Sequence, residues 1–222
     1  MHVQPRILGL LHTTRLVIDL VHGEVQRELP EVRLVHVLDE TLLIQFARVG
    51  GVNAEVRRKV VSMARSLEEA GAGAILVTCS SLGNVVYEAR NFVEIPVMKV
   101  DEPMVEEAVA RGGTVGVLAT SISALRGTGE LIEVVAGRAG RTRKVEVCDF
   151  LCADAAKRLE EGRDEFERYL AREALKASRE VDILVVSQLS MTGLTRWLPD
   201  ECSNVLTALP YAVNRLKPLM GQ

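Results

Sequence analysis

The residue best placed for chemistry is a cysteine. Cys79 lies in Ala74-Ile75-Leu76-Val77-Thr78-Cys79-Ser80-Ser81-Leu82-Gly83, where a buried-strand pattern gives way to a small, hydroxyl-rich turn. A helix is expected to begin near Ser80–Gly83. A thiol just ahead of it would feel the positive end of the helix dipole and nearby backbone N–H groups, which lowers its pKa. The same N–H groups, with Ser80 and Ser81, would hold a carboxylate. Removing or delivering a proton beside a carboxylate needs such a pairing of soft base and anion cradle. The position fits equally well a cysteine that is one more small buried hydrophobe.

In open α/β sheets, ligands bind beyond the carboxyl ends of the strands. The residues at those ends are His12-Thr13-Thr14, Asp39-Glu40-Thr41, Cys79-Ser80-Ser81, Thr120-Ser121 and Gln188-Leu189-Ser190, with Ser187 closing the last strand. The set is rich in hydroxyls, with one thiol and few charges. His12 could bind a substrate, transfer a proton or simply be solvated. Asp39 and Glu40 could serve a ligand or cap the next helix. There is no cysteine and histidine set at metal-ligand spacing, no G-x-G-x-x-G after a strand and no Walker-type loop. Neither a metal nor a cofactor is expected. Arg126-Gly127-Thr128-Gly129 is glycine-rich but falls inside a helical stretch. Cys148 and Cys152 are spaced C-x-x-x-C, not the C-x-x-C of thiol–disulfide exchange, and read as core packing. Cys202, in the turn-like Pro199–Ser203, reads as an inert thiol. His36 reads as core, and His2 and His22 have no chemical context. The charged stretch Arg158–Arg179 reads as a solvated helix face.

The elements that must position these groups follow from the hydrophobic pattern. Strands are expected at Arg6–Leu11, Arg33–Leu38, Ala74–Thr78, Val97–Val100, Thr114–Ala119, Lys144–Cys148 and Asp182–Ser187. Several are near-continuous in Val, Ile and Leu, as parallel strands covered on both faces are. Helices are expected at Asn53–Ala70, Met104–Arg111, Ser121–Gly137 and Arg163–Glu180, with Asn53 and Asp101 as N-caps and Gly71 and Gly112 as stops. Strands alternating with helices give a parallel α/β sheet. The segment Gly73–Gly83 echoes Val181–Met191, pairing Cys79 with Gln188. Arg6–Thr13 echoes Thr114–Ser121, pairing Ile7 with Val115. Both echoes are displaced by close to half the chain, which suggests a duplicated α/β unit.

Composition narrows the class. The chain has 222 residues, 48% hydrophobic and 26% charged, as folded globular proteins do. A net charge of −3 and 4% aromatic residues leave no basic field or stacking surface for nucleic acid. No apolar run approaches the roughly 18–20 residues of a membrane span, and no secretory signal is evident. A cytoplasmic location with free thiols is expected.

On these residues the chain resembles the aspartate/glutamate/hydantoin racemase superfamily. Ala74–Gly83 is similar to its first Thr-Cys-Asn/Ser-Thr/Ser motif. Ile95-Pro96-Val97 and Val115-Gly116-Val117-Leu118-Ala119-Thr120 are also typical, and Leu206–Leu216 resembles the last helix, which returns to the first lobe. Val37–Leu43 resembles one branch of the superfamily. The resemblance implies two similar α/β lobes, each a parallel β-sheet flanked by helices, related by a pseudo-two-fold with the active site between them. Residues 1–98 plus 206–222 would form lobe 1 and 99–205 lobe 2. It also implies cofactor-free proton exchange between two facing cysteines in amino-acid metabolism. The second motif, usually Gly-Cys-Thr-Glu, aligns with Ser187-Gln188-Leu189-Ser190, so Gln188 replaces the second catalytic cysteine. A side-chain amide is no general base near neutral pH.

The resulting expectation is a cofactor-independent racemase-like isomerase acting at the α-carbon of a small carboxylate. Cys79 and Gln188 are its catalytic positions. His12, Thr13, Thr14, Asp39, Thr78, Ser80, Ser81, Thr120, Ser121, Ser187 and Ser190 are its substrate-binding residues. A single-cysteine decarboxylase, a cis–trans isomerase of dicarboxylates and a non-catalytic binder of small acids are the alternatives. The expected partner is a small carboxylate, with neither nucleic acid nor membrane, and the expected assembly a homodimer or larger homo-oligomer.

Overall fold

The computed structural model describes residues 6–49, 51–139 and 145–221. His2 and Lys144, the first residue of the expected strand Lys144–Cys148, lie outside these residues. The chain divides into two compact units, Met1–Val100 with Leu209–Gln222, and Asp101–Ala208.

The first unit runs β1 (Ile7–His12), α1 (Ile18–Glu28), β2 (Arg33–Leu38), α2 (Thr41–Val49), α3 (Ala54–Glu69), β3 (Ala72–Val77), α4 (Val85–Ala89) and β4 (Val97–Lys99). The second runs α5 (Glu102–Arg111), β5 (Thr114–Ala119), α6 (Ile122–Arg138), β6 (Glu146–Leu151), α7 (Ala155–Glu161), α8 (Arg163–Ala177), β7 (Ile183–Val186) and β8 (Val205–Thr207). Helix α9 (Ala208–Leu219) then carries the chain back to the first unit. Its Lys217 is 2.9 Å from Glu28 of α1.

The sheets are ordered β2-β1-β3-β4 and β6-β5-β7-β8, and every pairing is parallel. Strands β1 and β3 are buried along nearly their whole length, which is why they read as continuous apolar runs. Helix α3 is capped by Asn53, whose side chain accepts from Val56 N, and it stops before Gly71 at φ +86°. Its buried stripe, Val56, Val60, Met63, Ala64 and Leu67, packs into the core beside Ile75 and Val77.

The duplication extends to individual hydrogen bonds. Gly9 pairs with Ile75 as Gly116 pairs with Leu184. Thr78 N donates to Leu11 O at 3.0 Å, and Ser187 N to Leu118 O at 3.0 Å. Asp39 N donates to His12 O at 3.1 Å, and Cys152 N to Ala119 O at 2.8 Å. These ladders equate Gly9 with Gly116, a shift of one residue from the echo in sequence, and they equate Cys79 with Gln188. Both glycines sit where a helix or neighbouring side chain comes close. A Cβ would be 3.0 Å from Leu67 at Gly9 and 2.8 Å from Leu184 at Gly116.

Local structure departs from the sequence reading at several points. The residues after Cys79 form one 3-10 turn, Ser80–Leu82, and α4 starts only at Val85. Asp101 occupies the N-cap of α5 but makes no side-chain cap bond. The stretch Arg158–Arg179 is broken at Gly162 (φ +134°) into α7 and α8. It is also not wholly solvated, because Glu167 is buried, where it accepts from Arg163 and Arg196. Val205–Thr207 pairs with β7 as a strand, so the last helix begins later than Leu206.

Candidate functional site

In the first unit, the ends of β1, β3 and β4 bring Thr13, Cys79 and Lys99 into one polar cluster. Cys79 is 9% exposed and belongs to the apolar core with Leu11, Val77 and Leu82. The Thr13 hydroxyl and the backbone N–H groups of Ser81 and Leu82 nonetheless face its sulfur in the sense that favours the thiolate. The Lys99 ammonium, 1% exposed, adds positive charge nearby. Burial pushes the Cys79 thiol up, and those hydrogen bonds and the Lys99 charge offset only part of that. The expected lowering of this pKa is therefore reversed. One turn of 3-10 helix has little dipole to offer, and desolvation of the sulfur outweighs it. At neutral pH Cys79 is a thiol with a ready-made cradle for the thiolate.

At the end of β1, His12 is fully buried. Its Nδ1 is 2.9 Å from Thr78 Oγ1, which in turn donates to Leu11 O at 3.1 Å. Its Nε2 is 3.0 Å from His36 Nδ1, and His36 Nε2 is 3.0 Å from His22 Nδ1. Burial, and then His36, hold the His12 pKa down at about 4, so His12 is neutral at pH 7. His36 is also lowered, by burial and by His22, with Asp19 acting in the opposite sense. His36 is thus half-buried and bonded at both nitrogens, not a core residue, and His22 acquires a context.

The other sequence-selected residues of this unit have more local engagements. Thr14 caps the 3-10 turn Arg15–Val17 by accepting from Leu16 N at 3.3 Å. The Asp39 carboxylate accepts from Thr41 N at 2.9 Å and from the Thr41 hydroxyl, and it pairs with Lys59 at 3.2 Å. Burial acts to raise the Asp39 pKa, but the Thr41 and Lys59 interactions prevail and hold it below the usual range. Asp39 is occupied at the start of α2. Ser80 is buried and Ser81 half-buried.

In the second unit, Gln188 Oε1 accepts from Thr120 N at 2.7 Å and from the Thr120 hydroxyl at 3.0 Å. The Ser187 hydroxyl is buried, donating to Ala124 O at 3.2 Å and accepting from Thr128 at 2.8 Å. Ser121 caps α6 through Ala124 N at 3.3 Å. Ser190 is half-buried and accepts from Arg163 at its carbonyl at 2.9 Å. Cys152 is buried in apolar surroundings, and burial, helped by Glu173, pushes its thiol up to about 12. Cys148 and Cys202 are half-buried, and all four cysteines are free thiols.

Sequence reasoning missed Lys99, His36 and His22. A charge inside the apolar run Pro96-Val97-Met98-Lys99-Val100 was the available signal for Lys99, because a buried lysine is rare without a partner. The histidines gave no local signal. Among the described residues, no group of three or more His, Cys, Asp or Glu could hold a metal ion, and no helix is long and apolar enough to cross a membrane.

Solved structures share this fold. Glutamate racemase isoform RacE1 from Bacillus anthracis aligns with a TM-score of 0.70 at 18% identity, over 98% of this chain and 82% of that one. A glutamate racemase from Francisella tularensis in complex with D-glutamate gives 0.70 at 16% identity, over 98% and 81%. A variant of arylmalonate decarboxylase in a sulfate-associated form gives 0.61 at 16% identity, over 97% and 93%. No curated protein matches the chain by sequence. The profile of the family described as Asp/Glu/Hydantoin racemase matches residues 11–215, nearly the whole chain. The duplicated parallel sheets and this match together place the protein in the Asp/Glu/hydantoin racemase family.

Proposed function

We propose that the protein is a cofactor-independent, isomerase-like enzyme that transfers a proton at the α-carbon of a small carboxylate, an amino acid or a derivative, with Cys79 as the proton carrier. The observation that carries this reading is the setting of the Cys79 sulfur. It is buried and protonated, yet ringed by the Thr13 hydroxyl, the Ser81 and Leu82 N–H groups and the Lys99 ammonium. A thiol so placed gives its proton to a carbanion, and the thiolate left behind meets donors already oriented. Taking a proton from the α-carbon is the reverse step. Ser80, Ser81 and Thr14 supply hydroxyls for the carboxylate, Thr13 steadies the thiol, and Thr78 holds His12 in place. The corresponding strand end of the second unit carries hydroxyls of its own at Thr120, Ser121 and Ser190, and Ser187 braces it from within.

Gln188 stands where the resemblance places a second thiol. Its amide, fixed by Thr120, carries no proton that titrates near neutral pH. Proton transfer in this protein therefore depends on one thiol. Incubation with a panel of D- and L-amino acids and their N-carbamoyl derivatives in deuterated water tests the reading. Deuterium should enter the α-position, and Cys79→Ala should slow entry by about 10²–10⁴-fold. No incorporation across the panel with folded protein would overturn it.

A second reading has its own support. Because burial keeps Cys79 protonated, it suits protonation of the enolate left when a malonate-type diacid loses carbon dioxide. Carbon dioxide release from substituted malonates, without α-exchange of monocarboxylates, would select decarboxylation.

A further inference from the structure

We propose that the cleft between α3 and the segment following α4 binds a small amphiphilic anion, one with a flat apolar body and a carboxylate or phosphate head. The proposal does not depend on the reading of Cys79, and none of the strand-end residues lines this cleft.

The cleft has a volume of about 640 Å³, within the range of small-molecule sites. Arg58, Val61, Ser62 and Arg65 line it from one face of α3, at i, i+3, i+4 and i+7. Phe92, just beyond α4, lines the other side. Two cross-links hold the walls. Arg57 on α3 bonds to Glu88 on α4, and Glu94 N donates to Glu68 on α3 at 2.6 Å. The opposite stripe of α3, Val56 to Leu67, is buried in the core, which fixes the rotation of the helix.

The lining has an apolar part and a basic part. Val61 is half-buried at the edge of the core, and Phe92 is 59% exposed. A phenyl ring and a valine in one cleft favour a flat apolar group. Arg58 makes no ion pair among the described residues. Arg65 reaches Glu69 only at 3.9 Å, with both side chains more than half exposed. Such a pair contributes little and yields to a better acceptor. Arg58 and Arg65 are two turns apart, about 10 Å along the helix axis. Their long stems let both guanidinium groups close on one oxyanion beside Ser62. The Ser62 hydroxyl is available to that oxyanion, whereas Ser66 is turned back and donates to Ser62 O at 3.0 Å.

The duplicated unit treats the same helix face differently. Matching the buried stripe Val56, Val60, Ala64 and Leu67 of α3 to Phe166, Leu170, Ala174 and Ala177 of α8 sets Arg57 against Glu167 and Val61 against Ala171. In α8 that face is closed. Glu167 and Ala171 are buried, and Arg196 and Trp197, from the chain after β7, both bond to Glu167. In α3 it stays open and is lined with guanidinium groups and an exposed ring, in a chain whose net charge is −3.

The test titrates the full-length protein into 1-naphthyl phosphate and 1-naphthoate, read by fluorescence anisotropy at physiological salt. At least one of the two should bind, and the tighter one identifies the head group as phosphate or carboxylate. Arg58→Gln and Arg65→Gln should each weaken binding by about tenfold, the loss of one charge-assisted hydrogen bond. Ser62→Trp, at an exposed position, fills the cleft and should abolish binding. Cys79→Ala should leave it unchanged. A thermal melt checks the fold of each variant. No binding of either anion at millimolar concentration would overturn the site. So would binding that both arginine variants leave unchanged, or binding lost in Cys79→Ala, which would belong to the strand end.

Discussion

Gln188 stands in the second unit where Cys79 stands in the first. Cys79 lies four residues beyond Ile75, the partner of Gly9, and Gln188 lies four residues beyond Leu184, the partner of Gly116. The two strand ends have the same backbone but opposite chemistry. One presents a thiol held by Thr13, Ser81 and Leu82, and the other an amide whose oxygen is held by Thr120.

The Lys99 charge and the Thr13 hydroxyl both favour the Cys79 thiolate, against burial. Lys99→Met removes the charge and keeps the length of the side chain. It should raise the Cys79 pKa and slow alkylation at pH 8 by on the order of tenfold, the effect of a shift of about one pH unit. Thr13→Val should act in the same direction and more weakly. Iodoacetamide labelling of Cys79 as a function of pH, read by peptide mass spectrometry, measures both. Unchanged profiles would remove Lys99 and Thr13 from the site.

His12 makes stability depend on pH. Its pKa is about 4 in the folded chain against 6.5 for an ordinary histidine. Between those values the unfolded chain binds the extra proton. Stability from this group is therefore full above about pH 6.5 and is lost as the pH falls towards 4, by about 3 kcal/mol. His36, lowered as well, adds in the same sense. Urea unfolding at pH 7 and pH 4.5 should show the loss, and His12→Asn should flatten it. A flat wild-type profile would contradict a buried neutral imidazole.

The Gln188 oxygen carries two hydrogen bonds from Thr120. Gln188→Glu preserves an acceptor and should leave stability close to that of the wild type. Gln188→Leu leaves the Thr120 N–H without its partner and should cost about 1–3 kcal/mol. Differential scanning calorimetry of the two variants distinguishes them. Equal loss in both would mean that the acceptor is not what fixes this strand end.

The sequence by itself determined the sheets and the thiol. Long Val, Ile and Leu runs specify buried parallel strands without reference to anything distant, so β5 falls where its run does. The repeat was legible for the same reason, and Cys79 stood out because strand ends in such sheets face ligands. The Asn53 cap was readable from neighbours within one turn, whereas Asp101, expected to cap α5, makes no such bond and Ser121 caps α6 instead. What the tertiary structure decided was which polar groups meet. His12 and His36 are 24 residues apart and become neighbours only because β1 and β2 align Leu10 with His36, which sets the two rings on one face. Lys99 reaches Cys79 only through the pairing of β3 with β4. Even the direction of the Cys79 pKa was tertiary. The local turn offered N–H groups that lower it, and the surrounding core, absent from any short window of sequence, raised it further.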